Sequence, residues 1–366
     1  MIDRGLYIHI PFCSGKCYYC DFFSVAIDTE KLDFFTTKII SEIEYFSSQY
    51  PDTRISSIYI GGGTPSIVPF AYIERIVKRV RDLFIVKSDE FTIEVNPGEI
   101  EWISEYSQLG VNRISLGVQS LDNNVLNNCG RRHSRDSVIR AFEELNKYYK
   151  NLSCDLILGL PGQNATTLLT DINEVSNYVK HISLYFLKIG EGTKFDELIN
   201  NRVFVLPDDD YLVDTYYLAK NRMFELGFKR YEVSNFARDG FESKHNLSYW
   251  RRKEYIGVGP SACSLLGNNR IQISHNNYFK NRLTEYAIEE VLTVEDMAKE
   301  TVILSLRTDS GLDLKLFENT YKKSIYQMFP EAMEKNYKYF DFSNNNILKL
   351  KEEYFLTQNI VFQDFI

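Results

Sequence analysis

Short β-rich runs alternate with longer amphipathic stretches over the first 226 residues of this 366-residue chain. The β-rich runs are Leu6–Ile10, Ile55–Ile60, Phe91–Val95, Arg113–Val118, Cys154–Leu158 and His181–Leu187. Helical patterns lie between them, at about Glu30–Gln49, Ala71–Phe84, Glu99–Leu109, Arg135–Tyr148 and Thr166–Tyr178, and a further one, about Asp208–Leu226, follows the last run. Strands separated by a helix cannot pair as hairpins. Each crossover brings the next strand back parallel, so βαβ units and a parallel sheet are expected. Six such units are too few to close a barrel of about eight strands. The predicted class is α/β, an open partial (β/α)6 barrel with a smaller, mainly helical C-terminal domain.

The rhythm breaks after the sixth unit. Residues 228–277 are rich in aromatics, Gly and Asn, with short β-like runs. From 278 the pattern is mainly helical, with weak strand candidates at Ile347–Leu350 and Tyr354–Leu356. The expected division is 1–227 for the barrel, 228–277 for a β-rich extension and 278–366 for the C-terminal domain.

In parallel α/β architectures, sites are built from the loops at the carboxyl ends of the strands. Here those loops carry Cys13–Cys20 after the first strand, Gly61–Ser66 after the second, Asn96–Pro97 after the third, Gln119 after the fourth and Gly159–Gln163 after the fifth. Residues this unusual on one edge are expected to converge on one cleft.

Six cysteines are present, and three fall in the run Cys13-Ser-Gly-Lys-Cys17-Tyr-Tyr-Cys20. A tight group of cysteines in a chain without a secretory signal reads as a metal or redox site rather than a disulfide framework. Three thiolates on one loop can hold three irons of a [4Fe–4S] cubane and leave the fourth open to a ligand. A zinc site completed by His9 is the alternative, although His9 sits on an alternating strand where a buried structural histidine is expected. Cys129, Cys154 and Cys263 read as small buried hydrophobes.

The net charge of −8 weighs against a nucleic-acid partner, since phosphate binding needs clustered Lys and Arg. No run approaches the roughly 18 apolar residues of a membrane span. The opening Met-Ile-Asp-Arg-Gly-Leu-Tyr-Ile-His-Ile-Pro-Phe-Cys lacks the apolar core of a signal peptide, so a cytoplasmic location is expected.

The C-x3-C-x2-C spacing and the preceding Tyr-Ile-His-Ile-Pro-Phe resemble the radical-SAM superfamily. Within it they are similar to the branch that contains oxygen-independent coproporphyrinogen III oxidase and the related heme chaperones, the HemN and HemW families. The resemblance is strong from about Tyr7 to Ser264 and weak beyond. It implies a radical-SAM partial barrel and a [4Fe–4S] cluster on Cys13, Cys17 and Cys20. It further implies S-adenosylmethionine chelated at the open iron and cleaved by one electron to a 5′-deoxyadenosyl radical. By matching position, Tyr7, Tyr19, Gly62, Gly63, Thr64, Glu94, Gln119, Arg131 and Asp155 are the implied S-adenosylmethionine contacts. Glycines there let the backbone approach the ligand, and Arg131 suits its carboxylate. Each residue alone is also compatible with a structural ion pair or a satisfied core polar group.

Two departures separate the chain from the oxidase pattern. Phe22 stands where the oxidase loop has a further cysteine, and only six residues precede Tyr7, where the oxidase has a long extension. In addition, His245-Asn-Leu-Ser-Tyr-Trp250 matches the H-N-x-x-Y-W signature of the heme-chaperone branch. His245 offers an imidazole for heme iron, Tyr249 and Trp250 offer flat surface, and Arg251 and Arg252 offer cations for propionates. The expected function is heme binding and delivery to heme-accepting proteins, with a flavodoxin- or ferredoxin-like electron donor and a homodimer among the candidate partners. Oxidative decarboxylation of coproporphyrinogen III, and a radical-SAM enzyme on another substrate such as RNA or a peptide, are the alternatives. Whether the chain is an enzyme stays open at this point.

Overall fold

A computed structural model describes residues 1–366. The barrel runs β1 (Ile2–Ile10), α1 (Thr29–Gln49), β2 (Thr53–Gly62), α2 (Phe70–Leu83), β3 (Ile85–Val95), α3 (Ile103–Gln108), β4 (Arg113–Gln119), α4 (Asn123–Asn128), α5 (Arg135–Leu145), β5 (Asn151–Leu158), α6 (Ala165–Val175) and β6 (His181–Phe186), followed by α7 (Lys194–Asn200) and α8 (Asp209–Glu225). The periodicities explain the elements. On α2 the buried set Ile73, Ile76, Val77 and Val80 recurs at helical spacing and packs on the sheet. Side-chain caps start the helices: Asp28 accepts from the Lys31 backbone N–H, and Ser134 with Ser137 forms a reciprocal box.

All six expected strands form, and consecutive strands β1 to β6 pair in parallel. The structure adds a continuation that local periodicity does not reveal. The sheet has twelve strands. Past α8 come β7 (Lys229–Arg230), β8 (Asn235–Ala237), α9 (Lys244–Trp250), β9 (Tyr255–Val258), β10 (Cys263–Leu266), β11 (Asn269–Ile273), β12 (Tyr286–Val291) and α10 (Val294–Leu306). β8 and β7 extend the sheet antiparallel beyond β6. β9 returns across the molecule to lie parallel to β1, and β10, β11 and β12 follow it antiparallel. The barrel stays open between β12 and β7.

The strands of the 228–277 stretch therefore belong to the barrel's own sheet, which continues through Val291. The main core holds 55 buried residues, while a separate core of 15, starting at Ala298, lies under the C-terminal helices and a small sheet of Leu312–Asp313, Ile347–Leu350 and Phe340–Asp341. Two local expectations differ. Tyr354–Leu356 is not a strand; Glu352–Tyr354 is a 3-10 turn. The third helix begins at Ile103 rather than Glu99, because Glu99 is drawn into the loop, where it accepts from Ser14 at 2.9 Å and Asn96 at 3.1 Å. No helix is long and apolar enough to cross a membrane.

Candidate functional site

The carboxyl ends of β1 to β6 meet around a cleft of about 540 Å³, with the loops after β1 to β4 and β6 in its wall; the loop after β5, Gly159–Gln163, expected there, is not part of it. Its wall contains Cys13, Cys17, Cys20, Tyr19, Gly62, Gly63, Thr64, Glu94, Gln119, Arg131 and Asp155. Of the implied cluster and S-adenosylmethionine residues, only Tyr7 lies outside that wall; it lines an adjoining cavity together with His245.

The three cysteines are free and half-buried on the loop after β1. Burial pushes the Cys13 and Cys20 thiols up from their usual range. A thiolate set here needs compensating positive charge, which iron supplies. Arg131 contributes some of it: Nη1 donates to Cys17 Sγ at 3.3 Å. No three acidic, His or Cys side chains converge on one ion-sized point; a cubane spreads its thiolates over different irons and does not need one. In donor type and count, and in sharing one cleft wall, the three sulfurs suit a four-iron cluster with one iron left without a protein ligand.

The end of β2 has no room for side chains. A Cβ on Gly61 would meet Tyr59 and Glu94 at 2.7–2.8 Å, and one on Gly63 would meet the Phe12 carbonyl at 2.6 Å. Gly62 has φ +114, a conformation that favours glycine. Its N–H donates to Glu94 Oε2 at 3.0 Å, and the Tyr59 hydroxyl donates to Oε1 at 2.8 Å. Burial nevertheless lifts the Glu94 carboxyl to about 7. Asp155 is likewise pushed up by burial and accepts from the Ser115 hydroxyl at 3.3 Å. Two strand-end carboxyls that are costly to ionise call for a ligand with cationic or hydroxyl donors.

Opposite them, Arg131 Nη2 donates to the Gly117 carbonyl and to Asn96 Oδ1 (3.1 Å for the latter), while its buried Nε has no partner. Asn96 Nδ2 also holds Thr64 Oγ1 at 3.1 Å, and Thr64 approaches Cys13 Sγ at 3.5 Å. Gln119 sits at a register shift between β4 and β5 with φ 66; this bulge turns its side chain into the cleft. Cations, carboxyls and closely approached backbone thus face one cavity, the donor set suited to an amino-acid zwitterion carrying a ribose.

Sequence reasoning missed Tyr59, Ser115 and Tyr185. The signal was strand alternation: Tyr59 is two residues before Gly61, and Ser115 two before Gly117, so each shares the inward face.

The adjoining cavity measures about 800 Å³ and is mainly aromatic and aliphatic, with Tyr7, Phe22, Phe23, Tyr59, Tyr185, Tyr249, Tyr255, Leu265, Ile303 and Leu304 in its wall. Phe22 and Tyr185 belong to both cavities and form their common boundary. Phe22 is 60% exposed, an unusual state for a phenylalanine. His9 lines the cavity as a buried histidine, with Nδ1 3.0 Å from the Tyr7 hydroxyl. His245 is 1% exposed, stacked on Tyr59 at 5.3 Å between centroids. Both its ring nitrogens are engaged: Nδ1 lies 2.8 Å from Ser57 Oγ and Nε2 lies 2.9 Å from the Tyr249 hydroxyl. Burial drives its pKa down to about 3, so the ring is neutral. Nε2 therefore opens to a ligand only if Tyr249 turns away. Trp250 and Arg251, expected as porphyrin contacts, do not line the cavity, whereas Arg252 does.

A family model described as the Radical SAM superfamily matches residues 7–175. "Heme chaperone HemW" of Lactococcus lactis subsp. lactis (strain IL1403) is 36% identical over 90% of this chain and 88% of its own length. "Heme chaperone HemW" of Bacillus subtilis (strain 168) is 31% identical over 90% of each. Among solved structures, coproporphyrinogen III oxidase (HemN) from Escherichia coli superposes with a TM-score of 0.84 over 100% of this chain and 90% of that one, at 21% identity, which establishes the shared fold. Fold and cleft thus define a radical-SAM protein. The chain belongs to the HemN/HemW family of that superfamily, among relatives named as HemW heme chaperones.

Proposed function

We propose that this protein binds heme in the aromatic cavity beside a cluster-bearing S-adenosylmethionine cleft and passes it to heme-accepting proteins. The observation that carries the reading is the 800 Å³ cavity, large enough for a tetrapyrrole and walled by flat rings. The family relationship to proteins named as heme chaperones supports it.

In this reading Cys13, Cys17 and Cys20 hold a [4Fe–4S] cluster. Arg131 takes the carboxylate of S-adenosylmethionine, while Glu94 and Asp155 take its ammonium and ribose donors. Gly62, Gly63, Thr64, Gln119, Tyr7 and Tyr19 shape the cleft around it. Cluster and ligand together supply one-electron chemistry when bound; the protein's part is to orient the ligand and exclude water. His245 is the heme contact on the cavity wall. Its neutral ring is the form that ligates metal, once the Tyr249 hydroxyl leaves Nε2. The protein works in the cytoplasm with a flavodoxin- or ferredoxin-like reductant.

The test is an anaerobic comparison on reconstituted protein of heme titration, followed by the Soret band, with turnover of coproporphyrinogen III. Saturable heme binding without protoporphyrinogen formation supports the reading. Protoporphyrinogen formation, or no saturable binding, overturns it.

A further inference from the structure

The heme cavity has an ionic corner in an otherwise aromatic wall. Arg252, Arg270 and Glu300 all line it. Arg252 Nε donates to Glu300 Oε2 at 2.8 Å, and Arg270 Nη2 donates to Glu300 Oε1. One carboxylate thus bridges two guanidinium groups inside the cavity. The side chains of Arg252 and Glu300 are only 12% and 24% exposed, so this is no solvated surface pair. Arg270 also reaches Glu290, at 3.4 Å.

Two further observations point to a ligand. The buried Nη2 of Arg252 has no partner, so a donor remains after Glu300 is satisfied. An arginine fork with a spare donor in an apolar cavity suits a second carboxylate oxygen. In addition, Arg252 has φ 49, one residue past the C-cap of α9. Glycine or asparagine usually takes that place, because other side chains are strained there. The strained backbone keeps an arginine where the cavity wall needs a cation.

Glu300 comes from α10, which also supplies Ile303 and Leu304 to the same wall. The carboxylate that fills the corner therefore belongs to an element that closes the cavity.

We propose that Arg252 and Arg270 are the carboxylate-recognition site of the cavity, and that Glu300 is their resident competitor, displaced when a tetrapyrrole with peripheral carboxylates enters. This rests on the heme reading above and adds what selects the ligand. Exchange of one carboxylate for another keeps the corner electrically balanced and frees α10 from its two anchors, coupling ligand entry to the cavity wall.

The experiment pairs two ligands on the wild-type reconstituted protein: heme, and heme dimethyl ester, which keeps ring and iron but caps both propionates. Affinity is read from the Soret titration. The expected result is at least tenfold weaker binding of the ester. Glu300→Gln is expected to tighten heme at least threefold and leave the ester unchanged. Arg252→Gln is expected to weaken heme and leave the ester unchanged. The ligand pair needs no variant, so misfolding of a variant does not decide the matter. Equal affinity for heme and ester overturns this inference alone. Binding of neither ligand overturns the heme reading and this inference with it.

Discussion

The carboxylate of Glu90, on β3, accepts the backbone N–H of His245 at 2.9 Å, although the two residues lie 155 positions apart. Glu90 also accepts from the Lys244 N–H at 2.8 Å and the Ser243 hydroxyl at 3.1 Å. It is 3% exposed and caps the start of α9 from outside the helix. A barrel strand thereby fixes the backbone that carries the histidine of the aromatic cavity. Glu90→Ala leaves buried donors without an acceptor and is expected to cost on the order of 3 kcal/mol of stability. Glu90→Gln retains one acceptor and costs less. Urea unfolding of both variants checks the order; equal stability of the two contradicts it.

Tyr249 acts as a stopper on His245. If the 2.9 Å contact to Nε2 opens before iron is bound, removing the hydroxyl makes ligation easier. Tyr249→Phe is expected to tighten heme several-fold, equivalent to about 1 kcal/mol for one hydrogen bond no longer broken. His245→Ala is expected to change the position of the Soret band, not only its amplitude. An unchanged spectrum in His245→Ala places iron ligation on another residue.

Glu94 sets a pH dependence. Its folded pKa, about 7, lies above the usual 4.5, because burial penalises the charged form. Below 4.5 the carboxyl is protonated in both folded and unfolded chains. Between the two values only the folded chain keeps the proton, and above 7 the fold bears the full cost of a buried charge. Stability from this group is therefore present at low pH and falls as pH rises through that window. Glu94→Gln removes the dependence. Relative to wild type it is expected to gain about 2 kcal/mol between pH 5 and pH 8. A stability difference that stays flat with pH refutes the assignment.

Gly62 tests the backbone cradle. A Cβ there would sit 2.6 Å from the His9 ring, at a φ of +114. Gly62→Ala is expected to weaken S-adenosylmethionine binding at least tenfold by calorimetry while iron and sulfide content stay normal, because the cysteine loop is untouched. Wild-type affinity in the variant contradicts the role.

How much of this was legible in the sequence follows from what is local. The six strands and the convergence of most of their end loops were readable, because strand and helix periods are local patterns; that Gly159–Gln163 stays out of the cleft wall was not. The run of β9 alongside β1 was not, since Leu6 and Ile256 become neighbours only through the fold. The cysteines were legible because three thiols on one short loop are unusual, whereas Gly62, Gly63 and Arg131 were picked out through the family resemblance. Tyr59 and Ser115 were hidden because a tyrosine or serine on a β-run reads as ordinary strand. His245 was legible as a residue but not as a state: Ser57 and Tyr249, which occupy its nitrogens, come from β2 and from the next turn of its own helix. Arg252 was legible as a cation, whereas Glu300, the acid it grips, arrives from 48 residues away.

On the proposed function, the chain carries heme in order to hand it on. The most direct measurement loads the reconstituted protein with heme under anaerobic conditions and mixes it with an apo-cytochrome. Heme appearance on that acceptor is then compared with loss to a bulk heme scavenger. Transfer to the apo-cytochrome is expected to be faster than scavenger-limited release and to rise with acceptor concentration. Equal rates, set only by spontaneous dissociation, would contradict it.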